Sequence, residues 1–352
     1  MGRSYLRPTG LVFGPDAARL IKAGLAASLG GMAHVGFTGA CRIRRGKKGI
    51  ERKDVSLDKA LAKEPALMAA IAAPRPRFAG VDLSRVRLMG IVNVTPDSFS
   101  DGGQHGEAPA AVAHGQQLAA EGAAILDVGG ESTRPGSDAV DADEELRRVI
   151  PVVRGLSSQG FTVSIDTRKA RVMTEAAYAG AALINDVSGL GHDPEALATA
   201  ARLQLPVILM HAQGDPRTMQ LNPTYEDVAL DVYDGLADRI VACQKAGIDR
   251  ARLCVDPGIG FGKSFAHNLD LLQQLPLFHG LGVPVLVGLS RKGFVGAVTG
   301  EAVAARRLHG SVAGALQAAM NGCHILRVHD VAPTRQALAL FAAAGGVPVE
   351  TR

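Results

Sequence analysis

The chain has 352 residues, of which 47% are apolar and 20% charged, so it can bury a large core and is not a disordered chain. Its net charge of +4 comes from one segment, because residues 42–53 hold seven basic residues and one acidic residue. A protein that follows a phosphate backbone spreads its positive charge more widely. We therefore expect no nucleic-acid partner and interpret this basic run as a solvated loop, with RNA contact as the alternative.

The sequence shows no sign of export or membrane insertion. The N-terminal residues MGRSYLRPTG contain no apolar stretch typical of a secretory signal, and no window of about 18 strongly apolar residues occurs. The cysteines are far apart and form no CxxC pair, which is typical of small buried side chains in a reducing compartment. We expect a cytoplasmic protein with no membrane partner and with these four cysteines unpaired: Cys41, Cys243, Cys254 and Cys323.

Residues 1–85 do not show the repeat of short apolar runs and longer amphipathic stretches that the rest of the chain has. They contain a mixed Gly/Ala segment, the basic run, a predicted helix near 57–72 and a PRPR linker at 74–77. We interpret 1–85 as an N-terminal extension or small subdomain whose role the sequence does not indicate.

From residue 86 to residue 352, short runs rich in Val, Ile and Leu alternate with longer amphipathic stretches. The predicted strands are 88–94, 125–129, 162–166, 183–187, 207–210, 253–256, 285–289 and 324–328. The predicted helices are 108–121, 143–157, 169–179, 194–203, 226–246, 267–275, 303–321 and 333–343. Eight such units predict an α/β fold, a (β/α)8 TIM barrel. The alternative, a doubly wound sheet, often carries G-x-G-x-x-G after its first strand, where this chain has NVTPDSFSDGG.

Each predicted strand ends in polar or charged side chains. In chain order these are Asn93, Asp127 with Glu131, Asp166, Asn185 with Asp186, His211, Asp256, Ser290-Arg291-Lys292, and Arg327 with His329. One such residue alone is more often a turn or a helix cap, but eight at the same rim of a barrel predict a polar funnel. The acceptors suit a ring with several N–H donors, and the cations suit phosphate or carboxylate groups.

Two motifs are not interpreted as functional. The segment GIGFGKS at 258–264 resembles a phosphate-binding P-loop, but Pro257 stands where that motif requires Gly. We interpret it as a tight loop after the sixth strand. His211 has no second metal ligand at helical spacing, so we interpret it as a loop histidine.

Eight segments of the chain resemble, in order, the signatures of the dihydropteroate synthase family. They are MGIVNVTPDSFSDGG (89–103), ILDVGGESTRPG (125–136), SIDTRK (164–169), INDVSG (184–189), LMHAQGDPRTMQ (209–220), DPGIGFGK (256–263), LSRKG (289–293) and RVHDV (327–331). The resemblance covers essentially all of 86–352. It implies an enzyme of folate biosynthesis, a transferase that joins 6-hydroxymethyl-7,8-dihydropterin diphosphate to 4-aminobenzoate, releasing 7,8-dihydropteroate and diphosphate.

The resemblance also implies roles for single residues. The pterin ring would be held by Asp166, Asn185, Asp256, Lys292 and Met210. The diphosphate would be held by Arg134, Arg327 and His329, with Asn93 helping to bind Mg2+. The 4-aminobenzoate would contact Phe99, Thr133, Pro135 and Gly293. The catalytic groups would be Lys292, Arg327, His329 and Arg134. Members of the family are usually homodimers, and the small residues of 312–320 permit such contact.

The chemistry of these residues favours a dissociative, SN1-like substitution. The arylamine is neutral at pH 7 and needs no strong base, whereas cations aimed at the leaving oxygen stabilise its developing charge. One position departs from the family: Gly293 follows the SRK triplet where a Ser or larger polar residue is frequent, so a hydroxyl contact to the aminobenzoate carboxylate, or to a sulfonamide mimic, is missing. The alternatives are a methyltetrahydrofolate:corrinoid methyltransferase-like enzyme and a non-catalytic paralogue.

Overall fold

The N-terminal residues form an antiparallel sheet. The structure is a computed structural model and describes residues 3–47, 49–94, 103–132, 140–214, 219 and 221–345. The N-terminal elements are β1 Ser4–Phe13, α1 Gly14–Lys22, β2 Ala27–Leu29, β3 Met32–Gly46, β4 Gly49–Ser56, α2 Leu57–Lys63 and α3 Pro65–Ala72. Strand β3 pairs with each of the other three strands. An N-terminal extension therefore precedes the repeating region, as the sequence predicts.

The basic run is not a loop, so this part of the prediction is wrong. Residues 42–46 and 49–53 lie in the paired strands of the β3–β4 hairpin, with Arg42 paired to Lys53 and Arg44 to Glu51. The reason is the period of two along the strand: Cys41 and Ile43 point into the core, while Arg42 and Arg44, which alternate with them, point outward. The high density of charged residues obscured the alternation of inward and outward positions that is typical of a strand.

The predicted helix at 57–72 is two helices. Helix α2 ends at Lys63 and α3 begins at Pro65, with Glu64 between them at a non-helical φ of −135°. Proline lacks the N–H that a continuous helix needs and disfavours helical geometry in the residue before it.

Eight parallel strands form the predicted TIM barrel. They are β5 Arg87–Asn93, β6 Ile125–Gly129, β7 Val163–Asp166, β8 Leu183–Asp186, β9 Val207–Met210, β10 Leu253–Asp256, β11 Leu286–Gly288 and β12 Ile325–Val328. Their order is β10-β9-β8-β7-β6-β5-β12-β11, and a bridge between Val255 and Val285 joins β10 to β11 and closes the ring. A doubly wound sheet would have two open edges, so that alternative is excluded.

Helices surround the barrel. They are α4 Gly103–Glu121, α5 Ala142–Ser157, α6 Ala170–Tyr178, α7 Ala196–Leu203, α8 Val228–Lys245, α9 Phe265–Gln273, α10 Gly293–Thr299, α11 Leu308–Met320 and α12 Val331–Ala344. Helix α10 was not predicted, because seven residues with two glycines are too few to show a helical period. Among the helices in the described ranges, none combines the length and apolar character needed to cross a bilayer.

The barrel interior has an apolar floor. One cluster of buried side chains lies inside the ring, separate from the larger core between strands and helices. Its members are Phe78, Leu83, Met89, Ile125, Leu183, Ile208, Cys254, Leu286 and Ile325. The four cysteines are buried and unpaired, as predicted.

Candidate active site

The polar residues of the barrel lie one step above its floor. Because side chains alternate along a strand, the position two residues after each floor residue also points inward. These positions hold Asp127 after Ile125, Asn185 after Leu183, Met210 after Ile208, Asp256 after Cys254 and Arg327 after Ile325. The change from apolar to polar along the same inward face forms a polar layer at the carboxyl ends of the strands, which is where this fold places its sites.

Arg327 connects this layer across the barrel. Its Nε donates to Asp127 Oδ2 at 2.6 Å, and its Nη2 donates to Asp166 Oδ2 at 2.8 Å. Asn185 Nδ2 donates to the same Asp127 oxygen at 3.1 Å. Strands β12 and β6 are not neighbours in the sheet, nor are β6 and β8, so these bonds cross the interior. Three of the predicted site residues are therefore in one network, with Asp127 at its centre.

Burial governs the charges of this network. It raises the pKa of the Asp166 carboxyl, against the opposing charge of Arg327. Burial also disfavours the Arg327 charge, but Asp127 and Asp166 outweigh that cost and raise its pKa. Asp127 is fully buried, and its Oδ1 has no hydrogen-bond partner among the residues that the structure describes. A buried oxygen without a hydrogen bond costs about 1–3 kcal/mol. A ligand that donates a hydrogen bond to Asp127 Oδ1 would remove this cost, so the network favours a donor-bearing ligand.

A second charged pair lies on the other side of the barrel. Asp256 is 5% exposed, and its Oδ1 accepts a hydrogen bond from the Gly258 N–H at 2.8 Å. Burial raises the pKa of Asp256 and lowers that of Lys292 to about 8, while each charge opposes the shift of the other. The Lys292 ammonium donates to the Ile259 carbonyl and lies 4.5 Å from the centre of the Phe261 ring.

The loop GIGFGK supports this pair. As predicted, it is a tight turn, since Gly258, Gly260 and Gly262 all have positive φ. A Cβ at Gly260 would come within 2.9 Å of the Lys292 side chain, and one at Gly258 within 1.9 Å of the His211 carbonyl oxygen. The glycines therefore allow the backbone to approach both neighbours closely.

Lys263, at the end of that loop, is a buried lysine that was not predicted to be part of the site. It is 2% exposed, and its Nζ donates to the carbonyls of Phe261 at 2.9 Å and His211 at 3.1 Å, with His211 Nδ1 at 3.2 Å. Burial lowers the pKa of Lys263 to about 7 and, together with Lys263, that of His211 to about 3. His211 is a loop residue, as predicted, and its ring is neutral at pH 7. Lys263 joins the loops after β9 and β10. This role was not predicted, because Lys263 belongs to the segment GIGFGKS, which was interpreted only as a tight loop.

His329 and Gly293 lie beside the polar layer. His329 Nδ1 is 3.1 Å from Ser290 Oγ, and its backbone N–H donates to the same hydroxyl. Gly293 is the first residue of α10 and is exposed, with open space where a Cβ would stand. Asn93 ends β5, and its side chain has no hydrogen-bond partner within the described ranges.

Other positions noted in the sequence lie in β6 and in the segments that follow β5 and β6. Phe99, Thr133, Arg134 and Pro135 lie outside the described residues. Glu131, noted at the strand ends, is occupied by ion pairs with Arg168 at 2.9 Å and Lys169 at 2.8 Å. These ion pairs connect the end of β6 to the segment that follows β7. Asp127 was noted as a strand end but not predicted as a site residue; an aspartate inside the apolar run ILDVG was the available signal.

Comparisons with known proteins agree with this architecture. The profile of a family described as "Pterin binding enzyme" matches residues 89–329. Dihydropteroate synthase of Escherichia coli strain K12 is 50% identical over 260 residues, covering 73% of this chain and 91% of that protein. A structure of Xanthomonas albilineans dihydropteroate synthase with 4-aminobenzoic acid has a TM-score of 0.74 and 53% identity, covering 78% of this chain and all of its own. The same enzyme in complex with 7,8-dihydropteroate has a TM-score of 0.71 and 51% identity.

Proposed function

Since the chain belongs to the dihydropteroate synthase family of pterin-binding enzymes, we propose that it joins 6-hydroxymethyl-7,8-dihydropterin diphosphate to 4-aminobenzoate, giving 7,8-dihydropteroate and diphosphate in folate biosynthesis. It is a transferase. The observation that carries this proposal is the polar layer, in which buried carboxylate and amide groups from separate strands surround Arg327. A corrinoid methyltransferase handles no diphosphate and would not need that cation.

The pterin ring would bind to Asp166, Asn185 and Asp256, with Lys292 and Met210 beside it. A dihydropterin presents several N–H donors, and carboxylates pair with such an edge through parallel hydrogen bonds. Asp166 is held by Arg327 in this structure. We propose that ring N–H groups replace this bond, so that Arg327 can turn to the diphosphate. Each charge-assisted bond contributes about 1.5–3 kcal/mol, so the exchange is close to balanced.

The leaving diphosphate would contact Arg327, His329 and Arg134. Asn93 fits a role in holding Mg2+, because its amide oxygen is a hard ligand at the end of β5 without a protein partner in the described ranges. The described residues contain no cluster of three His, Cys, Asp or Glu side chains that could bind a metal. Mg2+ usually keeps waters and substrate phosphate oxygens, so one protein ligand is enough. When bound, the ion would supply neutralising charge to the diphosphate.

The reaction would be a dissociative substitution. The carbon–oxygen bond to diphosphate breaks, its electron pair stays with the leaving oxygen, and Arg327 and His329 stabilise that charge. The electron-rich pterin delocalises the positive charge left on its methylene carbon. The neutral amine of 4-aminobenzoate then attacks that carbon and loses a proton. The segments containing Phe99 and Arg134 would exclude water from the cation.

The 4-aminobenzoate would lie between those segments and the start of α10. Phe99, Thr133 and Pro135 would contact its ring, and the Gly293 backbone N–H would donate to its carboxylate. The first N–H groups of a helix have no partner within the helix, and they attract anions. We further propose a cytoplasmic homodimer that associates through the exposed face of α11, which includes part of 312–320.

Activity is tested by measuring diphosphate release with both substrates, with each alone, and after removal of Mg2+ with EDTA. Release should be rapid only with both substrates and Mg2+. Arg327→Ala should lower kcat/KM by about 10²–10³-fold, as expected for loss of one preorganised charge donor. In rapid-mixing experiments, some diphosphate should appear without 4-aminobenzoate if the substitution is dissociative.

The matched control is Arg154→Ala, which removes the same charge from an exposed position in the last turn of α5. It should leave turnover unchanged. Because Arg327 holds two buried carboxylates, thermal unfolding is measured for each variant, and Arg327→Lys keeps the charge. Full turnover by a folded Arg327→Ala protein would contradict the assigned role; no turnover by the wild-type protein would contradict the function.

A further inference from the structure

A large cavity lies at the end of the barrel opposite the polar layer. Its volume is about 940 Å³, which is at the upper end of the range for small-molecule sites. It is bounded by the ends of β1 and α12, by the segment leading into β5, and by the turn between α4 and β6. The N-terminal extension therefore forms one wall, and the barrel forms the others. This cavity has no part in the reaction proposed above.

The walls of the cavity are mainly apolar. Phe13 from the extension and Phe341 from α12 meet edge to face, with ring centres 5.8 Å apart. Val35 and Leu88 are each 4% exposed, and Leu338 is half-buried. A wall of this kind gains van der Waals contacts from an apolar occupant that water does not provide.

The polar groups of the cavity are basic. Arg85, Arg87, Arg335 and His34 line it, and no Asp or Glu is among its described lining residues. Arg87 is neutralised by Asp82, whose Oδ2 lies 2.9 Å from Nη2. Arg335 is exposed and has no ion-pair partner within the described ranges. Its side chain crosses Gly122, where a Cβ would come within 2.6 Å of Arg335 Cδ.

His34 adds a polar group of a different kind. It is half-buried in the wall, and its ring has no hydrogen-bond partner in the part of the chain that the structure describes. Burial lowers the pKa of His34, so the ring is neutral at pH 7 and offers one N–H and one acceptor nitrogen. The cavity thus combines an apolar interior, a neutral hydrogen-bonding group and a cation at its exposed side.

We propose that this cavity is a second binding site, for a small organic anion with an apolar body, such as a medium-chain carboxylate. The apolar chain would lie between Phe13 and Leu338, and the carboxylate would pair with Arg335. An entirely apolar ligand would leave the guanidinium unused, and an inorganic anion would leave the apolar walls unfilled. Charge and wall chemistry together therefore select an amphiphilic monoanion.

Decanoate and its uncharged counterpart 1-decanol are the probes, measured by isothermal titration calorimetry on the full-length protein at low ionic strength. Decanoate should bind once per chain and about tenfold more tightly than decanol, which is the difference that one charged hydrogen bond supplies. Arg335→Gln should remove this difference by weakening decanoate alone. Gln336→Glu, an equal charge change at the next residue of α12, should leave the difference largely intact.

Occupation of the cavity itself is tested by filling it. Ala339 lines the cavity, whereas Leu340, the next residue, is 73% exposed and does not. Ala339→Trp should abolish binding of both probes, and Leu340→Trp should preserve it, with thermal unfolding confirming that each variant is folded. Absence of saturable decanoate binding, equal affinity for the two probes, or binding that survives in Ala339→Trp would each overturn the proposal. If Ala339→Trp does not fold, the Arg335→Gln result decides.

Discussion

Gly293 shows how one missing side chain bears on substrate affinity. It begins α10, it is exposed, and nothing lies within 4 Å of the position that a Cβ would take. Gly293→Ser should therefore be accommodated without strain and add a hydroxyl donor for the aminobenzoate carboxylate. We expect a Kd for 4-aminobenzoate that is lower by about 2–10-fold, the value of one hydrogen bond. Calorimetry in the presence of diphosphate measures it.

The control is Gly293→Ala, which adds the Cβ without the hydroxyl. If Ala tightens binding as much as Ser does, the gain comes from backbone restriction and not from a new hydrogen bond. Sulfonamide mimics of the carboxylate should follow the same order. An unchanged Kd in Gly293→Ser would place the carboxylate away from α10.

At the same scale, the inward-pointing residues were largely predictable, and their partners were not. Asp166, Asn185 and Asp256 lie at the carboxyl ends of short apolar strands. Their position at the strand ends and the alternation of side chains along a strand are enough to predict that they point into the mouth of the barrel. The bond from Arg327 to Asp127 joins residues 200 positions apart, and no local pattern encodes it. Lys263 was missed because its burial depends on the packing of two loops that the sequence shows only as glycine-rich turns.

Helix α8 binds the N-terminal sheet to the barrel through side-chain hydrogen bonds and ion pairs. Asp234 on α8 accepts hydrogen bonds from Arg3 at 2.5 Å, Tyr5 Oη at 2.7 Å and Arg45 at 3.3 Å. Tyr5 is fully buried, so removing its acceptor leaves a hydroxyl unsatisfied. Asp234→Ala should lower the free energy of unfolding by about 1–3 kcal/mol, measured by urea denaturation.

Asp238→Ala is the matched control for that helix. Its carboxylate is 77% exposed and lies 3.7 Å from Arg3, so an effect under about 0.5 kcal/mol is expected. Equal losses in the two variants would mean that the sheet does not depend on Asp234.

Contacts with α8 also explain why the prediction for the basic run was wrong. Arg45 pairs with Asp231 and Arg52 pairs with Asp227, so part of the charge that suggested a solvated loop faces acidic groups at the start of α8.

Across the whole molecule, the extension contributes to the barrel in two ways. Tyr5, Cys41 and Ile43 belong to the main core, while Phe78 and Leu83 belong to the barrel floor. A protein beginning at Pro74 keeps the floor residues, and one beginning at Val86 loses them. The free energy of unfolding of the protein beginning at Val86 should be lower than that of the protein beginning at Pro74 by about 3–6 kcal/mol. This is about 1.5–3 kcal/mol for each of the two buried side chains, Phe78 and Leu83. That is a large part of a typical stability.

Thermal unfolding and diphosphate release of the two shortened proteins measure this difference. The protein beginning at Pro74 should fold and turn over, because the described polar-layer residues all lie after residue 86 and about a fifth of this chain has no counterpart in the Xanthomonas albilineans enzyme. The protein beginning at Val86 should unfold at a much lower temperature. Similar melting of both would support residue 86 as the domain boundary, which stays a prediction here.

The closure of the barrel between β10 and β11 has a consequence for how ligands act on the whole fold. One bridged pair joins these strands, whereas β5 and β6 share five paired positions. Amide protons along this seam should exchange with solvent sooner than those elsewhere in the ring. Asp256 ends β10, and Lys292 follows β11. A pterin that binds both residues would therefore link the two neighbouring strands that share only one bridged pair. Substrate binding and resistance to local opening are then thermodynamically linked.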